Sequence, residues 1–108
     1  MASSLHVVLV TAPDAEVARK LARTVLAARL AACVNIVPGI ESHYWWEGKI
    51  DQSNEVLLLV KTTKARLKLL EKVVRENHPY DTPEFVAIPA ELVAKKYLGW
   101  VRESVKPA

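Results

Sequence analysis

The side chains with the strongest metal-binding or nucleophilic chemistry in this 108-residue chain are three histidines and a single cysteine. His78 precedes a proline at the predicted end of a helix, where an imidazole can hydrogen-bond the last helix carbonyls, line a ligand cleft or bind a metal. Cys33 lies in an apolar predicted strand, which favours an inert, buried thiol over a metal ligand or a nucleophile. No Cys-x-x-Cys spacing predicts a zinc site, and no Ser-His-Asp order predicts a catalytic centre. The residues therefore favour a protein that is not an enzyme.

Four polar side chains stand next to apolar predicted strands: Glu55, Lys61, Tyr80 and Glu84. Because a buried charge has to be paired, these side chains can form structural networks with one another. Alternatively, together with His78, they line a cleft between subunits of an oligomer. The residues alone leave both interpretations open.

Three consecutive aromatic residues, Tyr44, Trp45 and Trp46, lie near the tip of a predicted hairpin. Aromatic side chains on a sheet can stack on nucleic-acid bases. RNA-binding modules of this kind carry them on central strands within an RNP-type motif, and this sequence has no such motif. Aromatic residues are also enriched at protein interfaces. We therefore expect a contact between subunits here, and no nucleic-acid partner.

Length and composition predict a single domain over residues 1–108, with residues 1–4 as a frayed terminus. A chain of 12.0 kDa has room for one hydrophobic core. The net charge of +3 is too small to indicate a nucleic-acid or membrane-surface partner. The apolar run at residues 5–12 is far shorter than the roughly 20 residues that span a membrane. With only one cysteine and no spanning segment, we expect a cytoplasmic protein without membrane insertion.

Hydrophobic periodicity predicts the elements that position these residues. Asp14 can cap a first helix, whose apolar residues recur at helical spacing. Thr63 is the predicted cap of a second helix, which ends at Asn77 and His78 because Pro79 follows. The predicted strands cover residues 7–11, residues 32–46 with a bend at Pro38-Gly39, residues 49–62 and residues 84–88, and a terminal helix covers residues 97–105. The order β-α-β-β-α-β plus one helix predicts an α+β fold with a ferredoxin-like antiparallel sheet.

Each of the four predicted strands contains a stretch that is apolar on both faces, at residues 7–10, 34–37, 56–60 and 85–88. Two crossover helices cover only one face of such a sheet, so the other face should alternate to polar residues. Leaving it in water would expose on the order of several hundred Å² of contiguous apolar surface, more than soluble monomers usually expose. Another copy of the chain is the simplest cover. The pattern therefore predicts a homo-oligomer.

Six blocks of residues resemble the CutA family, the divalent cation tolerance proteins. In order along nearly the whole chain they are Leu30-Ala-Ala-Cys-Val-Asn35, Tyr44-Trp-Trp-Glu-Gly-Lys49, Glu55 with Lys61-Thr62, His78-Pro-Tyr80, Pro83-Glu84, and Tyr97-Leu98 with Trp100. The resemblance implies a ferredoxin-like fold, a homotrimer, and a non-enzymatic role in the response to copper and other divalent metal ions. It also implies an alternative, a PII-like signalling trimer that binds a small ligand at clefts between subunits.

The resemblance further implies a copper site, formed by a cysteine near the end of the first strand and two adjacent histidines. In this chain Val10 and Asn77 stand at two of these positions, and only His78 is retained. Cu(II) prefers several nitrogen or oxygen ligands and Cu(I) prefers thiolates, so one imidazole beside a hydrocarbon and a neutral amide makes a poor site. We expect Cu(II) or another divalent cation to bind weakly or elsewhere.

Overall fold

The computed structural model describes residues 4–107, and its four strands form one antiparallel sheet in the order β2-β3-β1-β4. The strands are β1 (Leu5–Ala12), β2 (Cys33–Trp46), β3 (Lys49–Thr63) and β4 (Val86–Pro89). The helices are α1 (Ala15–Ala27), α2 (Leu67–Asn77) and α3 (Lys95–Ser104), with a 3₁₀ turn at Lys64–Arg66 before α2. The predicted α+β fold is confirmed, with the βαββαβ order and the additional helix near the C-terminus.

The predicted frayed terminus, residues 1–4, lies mostly outside the described residues. Ser4 is described, and its carbonyl oxygen accepts a hydrogen bond from the backbone N–H of Lys64 at 2.8 Å. The ring Nδ1 of His6 also lies 3.1 Å from this oxygen. The start of β1 is therefore held against the end of β3.

Helix α1 begins as its sequence predicts. The Oδ1 atom of Asp14 accepts a hydrogen bond from the backbone N–H of Val17 at 2.8 Å, which satisfies one of the unpaired donors of the first turn. The buried residues of the helix recur at a spacing of three or four and form one stripe: Ala18, Leu21, Ala22 and Val25. This stripe attaches α1 to the sheet.

The hydrophobic core lies between one face of the sheet and the two helices α1 and α2. Alternate residues of the strands, such as Val8, Val10 and Leu58, enter this core, and Leu70 and Val74 of α2 meet them. We call this side of the sheet the covered face. Because strand side chains alternate between faces, the residues between these belong to the opposite side.

We call the opposite side of the sheet the open face. Helix α3 packs against β3 on part of it, where Tyr97 lies beside Cys33. Val101 of α3 is buried, and so is Val105, which follows the helix. Beyond α3 the open face is apolar and partly or fully exposed, with these residues: Val7, Leu9, Val37, Leu57, Leu59, Val86 and Ile88. The predicted second apolar face is therefore present, and within the described residues α3 covers only part of it.

Two predicted details are wrong. Thr63 makes no capping hydrogen bond through its side chain. It remains extended and paired with Leu5 at the end of β3, and the chain enters α2 through the 3₁₀ turn instead. The fourth strand is shorter than predicted, because β4 pairs with β1 only from His6 to Leu9 and leaves Glu84 outside the strand. Pro89 is tolerated at its end because β4 is an edge strand.

The bend in β2 is confirmed. The register between β2 and β3 shifts between Val37 and Ile40, and Gly39 lies there with a φ of 75°, a conformation that glycine adopts without strain. Past this bulge β2 and β3 continue as a hairpin over residues 40–55, which we call the arm. Its two-residue turn has positive φ angles at Glu47 and Gly48.

Candidate functional site

A cleft of about 920 Å³ lies between the arm and the loop that joins α2 to β4 (residues 78–85). Five carboxylates line it, and they come from the arm and from the loop: Glu41, Asp51, Glu55, Asp81 and Glu84. Aromatic side chains form much of the remaining wall: Tyr44, Trp45, Trp46 and Tyr80. Among the described residues that line the cleft, none is a lysine or an arginine. The cleft is therefore acidic and aromatic, although the chain as a whole carries a net charge of +3.

Glu55 and Tyr80 connect the base of the arm to the 78–85 loop. Glu55 is only 8% exposed, and its Oε2 atom accepts a hydrogen bond of 2.8 Å from the hydroxyl of Tyr80. Burial, and secondarily the hydrogen bond to Glu55, raise the pKa of Tyr80 well above its usual range. Tyr80 therefore stays protonated and remains a donor to this carboxylate at physiological pH.

Glu84 lies in the same cleft, and the negative charge of Glu55 acts on its carboxyl group. Partial burial raises the pKa of Glu84 above its ordinary value, and the negative charge of Glu55 adds to the shift. The structure thus brings Glu55, Tyr80 and Glu84 together in one cleft within a single chain, and the position of such a cleft between subunits stays a prediction.

His78 is nearly buried beneath this cleft, and both of its ring nitrogens are engaged. Its Nε2 atom lies 2.7 Å from the carbonyl oxygen of Thr11, and its Nδ1 atom lies 3.1 Å from the backbone nitrogen of Tyr80. A carbonyl oxygen only accepts and a backbone N–H only donates, so Nε2 carries the proton and Nδ1 accepts. In this arrangement neither ring nitrogen has a lone pair free for a metal ion. The contact to β1 also differs from the expected bond to the last carbonyls of its own helix.

The other two positions of the implied copper site offer no ligand. Val10 is 1% exposed and belongs to the hydrophobic core, and the side-chain amide of Asn77 donates to the carbonyl of Val73 at 2.8 Å. Within residues 4–107, no group of three or more His, Cys, Asp or Glu side chains could hold a metal ion. The donor set of this single chain does not fit a copper ion.

Lys61 and Cys33 lie away from the cleft, on the open face. Lys61 is six residues beyond Glu55 on the same strand, a distance of roughly 20 Å at about 3.3 Å per residue, and its Nζ atom donates to Oδ1 of Asn35. Cys33 is half-buried, and its Sγ lies 3.7 Å from the same oxygen. Burial and the neighbouring Cys33 raise the pKa of Tyr97. Lys61 therefore shares no site with Glu55 within one chain.

The aromatic residues of the arm are largely exposed. Trp45 is 72% exposed, and Trp46 and Tyr44 are also exposed. The hydroxyl of Tyr44 lies 3.0 Å from Oγ of Ser53 across the hairpin. Sequence reasoning missed three carboxylates of this region, namely Glu41, Asp51 and Asp81. The first two could have been found from the hairpin pairing, which places Asp51 opposite Tyr44, whereas no sequence pattern brings Asp81 to the arm.

Comparison with known proteins gives one family. The family model of the CutA1 divalent ion tolerance protein matches residues 6–104. The chain is 49% identical over 99 residues to the divalent-cation tolerance protein CutA of Thermus thermophilus, covering 92% of this chain and 96% of that protein. It is 48% identical over 100 residues to a chloroplastic protein named CutA 1 from rice, covering 93% of this chain. The chain spans about half the length of that plant relative, 56%.

Solved structures agree with these sequence relations. The crystal structure of CutA1 from Oryza sativa superposes with a TM-score of 0.93 at 45% identity, covering 99% of this chain and 98% of that one. The structure of the cation tolerance protein from Thermus thermophilus gives a TM-score of 0.91 at 48% identity, covering 93% and 97%. Among the described residues, no helix is long and apolar enough to cross a membrane. With this fold and these sequence identities, the chain belongs to the CutA1 divalent ion tolerance family.

Proposed function

We propose that this chain assembles into a homotrimer that acts, without catalysing a reaction, in the tolerance of divalent cations. The role in cation tolerance is supported by the names of relatives from bacteria, which are called divalent-cation tolerance proteins. The observation that carries the proposed assembly is the open face, where apolar strand residues remain exposed beyond α3. Neighbouring copies would cover this surface.

A charge placed in the open face tests the assembly. Leu59 lies on this face and is partly exposed, so Leu59→Asp should leave a single folded chain intact but prevent association, because an unpaired carboxylate is costly in a buried interface. Leu69→Asp, on the exposed side of α2, is the matched control and should leave assembly unchanged. If Leu59→Asp associates as well as the original chain, the open face is not the interface.

The arm is the second proposed contact between subunits, through Tyr44, Trp45 and Trp46. In support, these aromatics are exposed, and among residues 4–107 the strand pairing at the tip of the arm stays within its own hairpin. Aromatic side chains of this size supply much of the binding energy at protein interfaces. An arm that reaches a neighbouring subunit would bury them.

Binding of copper or another divalent cation through His78 remains a prediction, and the geometry limits how it could occur. A metal would have to replace one of the two hydrogen bonds of the imidazole, and the described part of the chain has no group of three or more His, Cys, Asp or Glu side chains that could hold it. We therefore propose weak Cu(II) binding that His78→Ala changes only modestly. Restoring the family ligands with Val10→Cys and Asn77→His should strengthen it, as measured by calorimetry at one pH.

A growth assay tests the role in tolerance. Cells that lack their own relative of this protein should grow at higher copper concentrations when they express this chain. Expression of Leu59→Asp should give less protection if the assembled form is the active one. Equal growth with and without the chain would count against the role, whatever the oligomeric state. None of the relatives reported above supports the PII-like signalling alternative.

The cytoplasmic location and the lack of enzymatic activity rest on the sequence. Relatives carry names from more than one compartment, including chloroplastic proteins of rice and Arabidopsis and a periplasmic protein of Archaeoglobus fulgidus. Location in the cytoplasm is therefore a proposal that cell fractionation would test directly. The reduced state of the single cysteine would be the expected companion result.

A further inference from the structure

Helix α3 lies on the open face, apart from the hydrophobic core. Val101 of α3 and Val105 directly after it are buried, but neither belongs to the core between the sheet and the helices α1 and α2. The first turn of α3 has no side-chain cap, because Ala94 stands at the N-cap position, and Leu92 in the preceding loop is 92% exposed. A helix attached through so small a buried surface can open locally while the rest of the fold stays intact.

Arg29 holds the end of α3 from an unusual backbone position. Its Nη1 atom donates to the carbonyl oxygen of Ser104 at 3.1 Å. Arg29 follows the C-cap of α1 with a φ of 59°, and its N–H bonds the carbonyl of Leu26 while the N–H of Leu30 bonds the carbonyl of Val25. This is the Schellman arrangement, in which glycine is the usual residue at the position of Arg29. The chain thus has an arginine where the backbone favours glycine, and the arginine side chain reaches α3.

A second arginine, Arg66, holds the same end of α3. It lies in the 3₁₀ turn before α2, and its Nε atom donates to the carbonyl oxygen of Val105 at 2.9 Å. The last carbonyl groups of a helix have no partner within the helix and carry partial negative charge, so guanidinium groups stabilise them both as donors and as cations. None of the ion pairs among residues 4–107 involves Arg29 or Arg66. No described carboxylate therefore competes with α3 for these two side chains.

We propose that Arg29 and Arg66 form a latch that keeps α3 docked, and that α3 undocks as a unit, with the sheet and the other helices intact, when the latch is removed. The latch joins the end of α1 and the turn before α2, on the covered face, to the helix of the open face. Undocking uncovers Val101 and the part of the open face beneath α3. The latch therefore determines how much of the open face is exposed. This inference concerns a single chain and depends neither on the proposed assembly nor on the proposed role in cation tolerance.

Amide hydrogen exchange of the whole chain tests the latch, with α3 followed separately from β1 and β3. Arg29→Gly removes the side chain but supplies the residue that suits this backbone, so the amides of α3 should exchange roughly tenfold faster while those of β1 and β3 keep their rate or slow down. Arg66→Met keeps an apolar stem without the donor and should give the same selective increase. Arg102→Gln changes an exposed arginine of α3 itself and is the matched control, with an expected change in α3 of less than about twofold.

Two results would overturn the proposal. If the amides of α3 keep their original exchange rate in Arg29→Gly or in Arg66→Met, the two arginines do not form a latch. If the amides of α3, β1 and β3 all accelerate by the same factor in either variant, the arginine stabilises the fold as a whole and α3 does not open as a separate unit. The variant with both substitutions should accelerate exchange in α3 more than either single variant does, because each arginine holds a different carbonyl group.

Discussion

The two faces of the sheet carry similar residues in very different surroundings. On the covered face Val8 and Val10 are almost completely inaccessible, whereas on the open face Val86 is 47% exposed and Ile88 is 46% exposed. The first pair lies on β1 and the second on β4, and these two strands are paired with each other. The strand sequences therefore predict that both faces are buried, but α1 and α2 cover one face, whereas α3 covers only part of the other. The difference locates the surface that assembly would have to complete.

The largest loss of stability is expected from a substitution in the arm, the second proposed contact between subunits. Trp46→Ala should lower the stability of the assembled protein by about 3–5 kcal/mol, because it deletes a large aromatic side chain from the proposed contact. Urea unfolding at several protein concentrations measures it, and the loss should grow with the population of assembled protein. An unaltered melting temperature together with intact assembly would show that Trp46 is ordinary exposed surface.

Adjacent leucines of β3 compare the two faces directly. Leu58→Ala should cost about 2–5 kcal/mol at every protein concentration, since Leu58 is fully buried against α1 and α2 within one chain. Leu59→Ala should reduce stability only under conditions in which the chain associates. Urea unfolding over a hundredfold range of concentration would separate the two. If the stability losses of the two variants depend on protein concentration in the same way, the proposed difference between the two faces is contradicted.

Loss of the hydrogen bond between Glu55, at the base of the arm, and Tyr80 should reduce stability by a smaller amount. Tyr80→Phe removes only the hydroxyl that hydrogen-bonds the buried Glu55, and it should cost about 1–3 kcal/mol because the carboxylate loses its donor. Tyr44→Phe is the matched control, since it removes an exposed hydroxyl that bonds Ser53 within the hairpin. Its effect should stay within about 0.5 kcal/mol. If both variants lose the same free energy of unfolding, the Glu55–Tyr80 hydrogen bond contributes no more to stability than the exposed hydrogen bond of Tyr44.

Glu84 gives the smallest effect, and its sign follows from the raised pKa. The folded chain holds the Glu84 proton more tightly than the unfolded chain does, so the stabilising contribution is fully present below the ordinary pKa of 4.5. It is lost as the pH rises through the raised, folded-state pKa. Glu84→Gln should therefore melt at a slightly higher temperature than the original chain at pH 7, with the gap narrowing toward pH 4. A gap that widens on acidification would contradict this sign.

Most of the fold follows from local sequence signals. Asp14 caps α1 as predicted, and Pro38-Gly39 marks the bulge of β2, because both act through the backbone of nearby residues. Thr63 was a wrong prediction for the opposite reason: pairing with Leu5, far away in the sequence, keeps it in β3.

The site was predictable only in part. Glu55, Tyr80 and Glu84 meet in one cleft, but Lys61 lies far along the same strand, since strand geometry separates residues that sequence proximity suggests are together. One of the two hydrogen bonds of His78 goes to the carbonyl oxygen of Thr11, which is 67 residues away. Contacts between a side chain and a distant backbone atom leave no trace in the pattern of residue types.

The mass of the protein in solution tests the central claim, that the open face is completed by other copies of the chain. Sedimentation equilibrium at micromolar concentration should give about 36 kDa, three times the chain mass of 12.0 kDa. A stable species of 12.0 kDa would contradict the claim, because the exposed apolar strands of the open face would then remain in water without a partner.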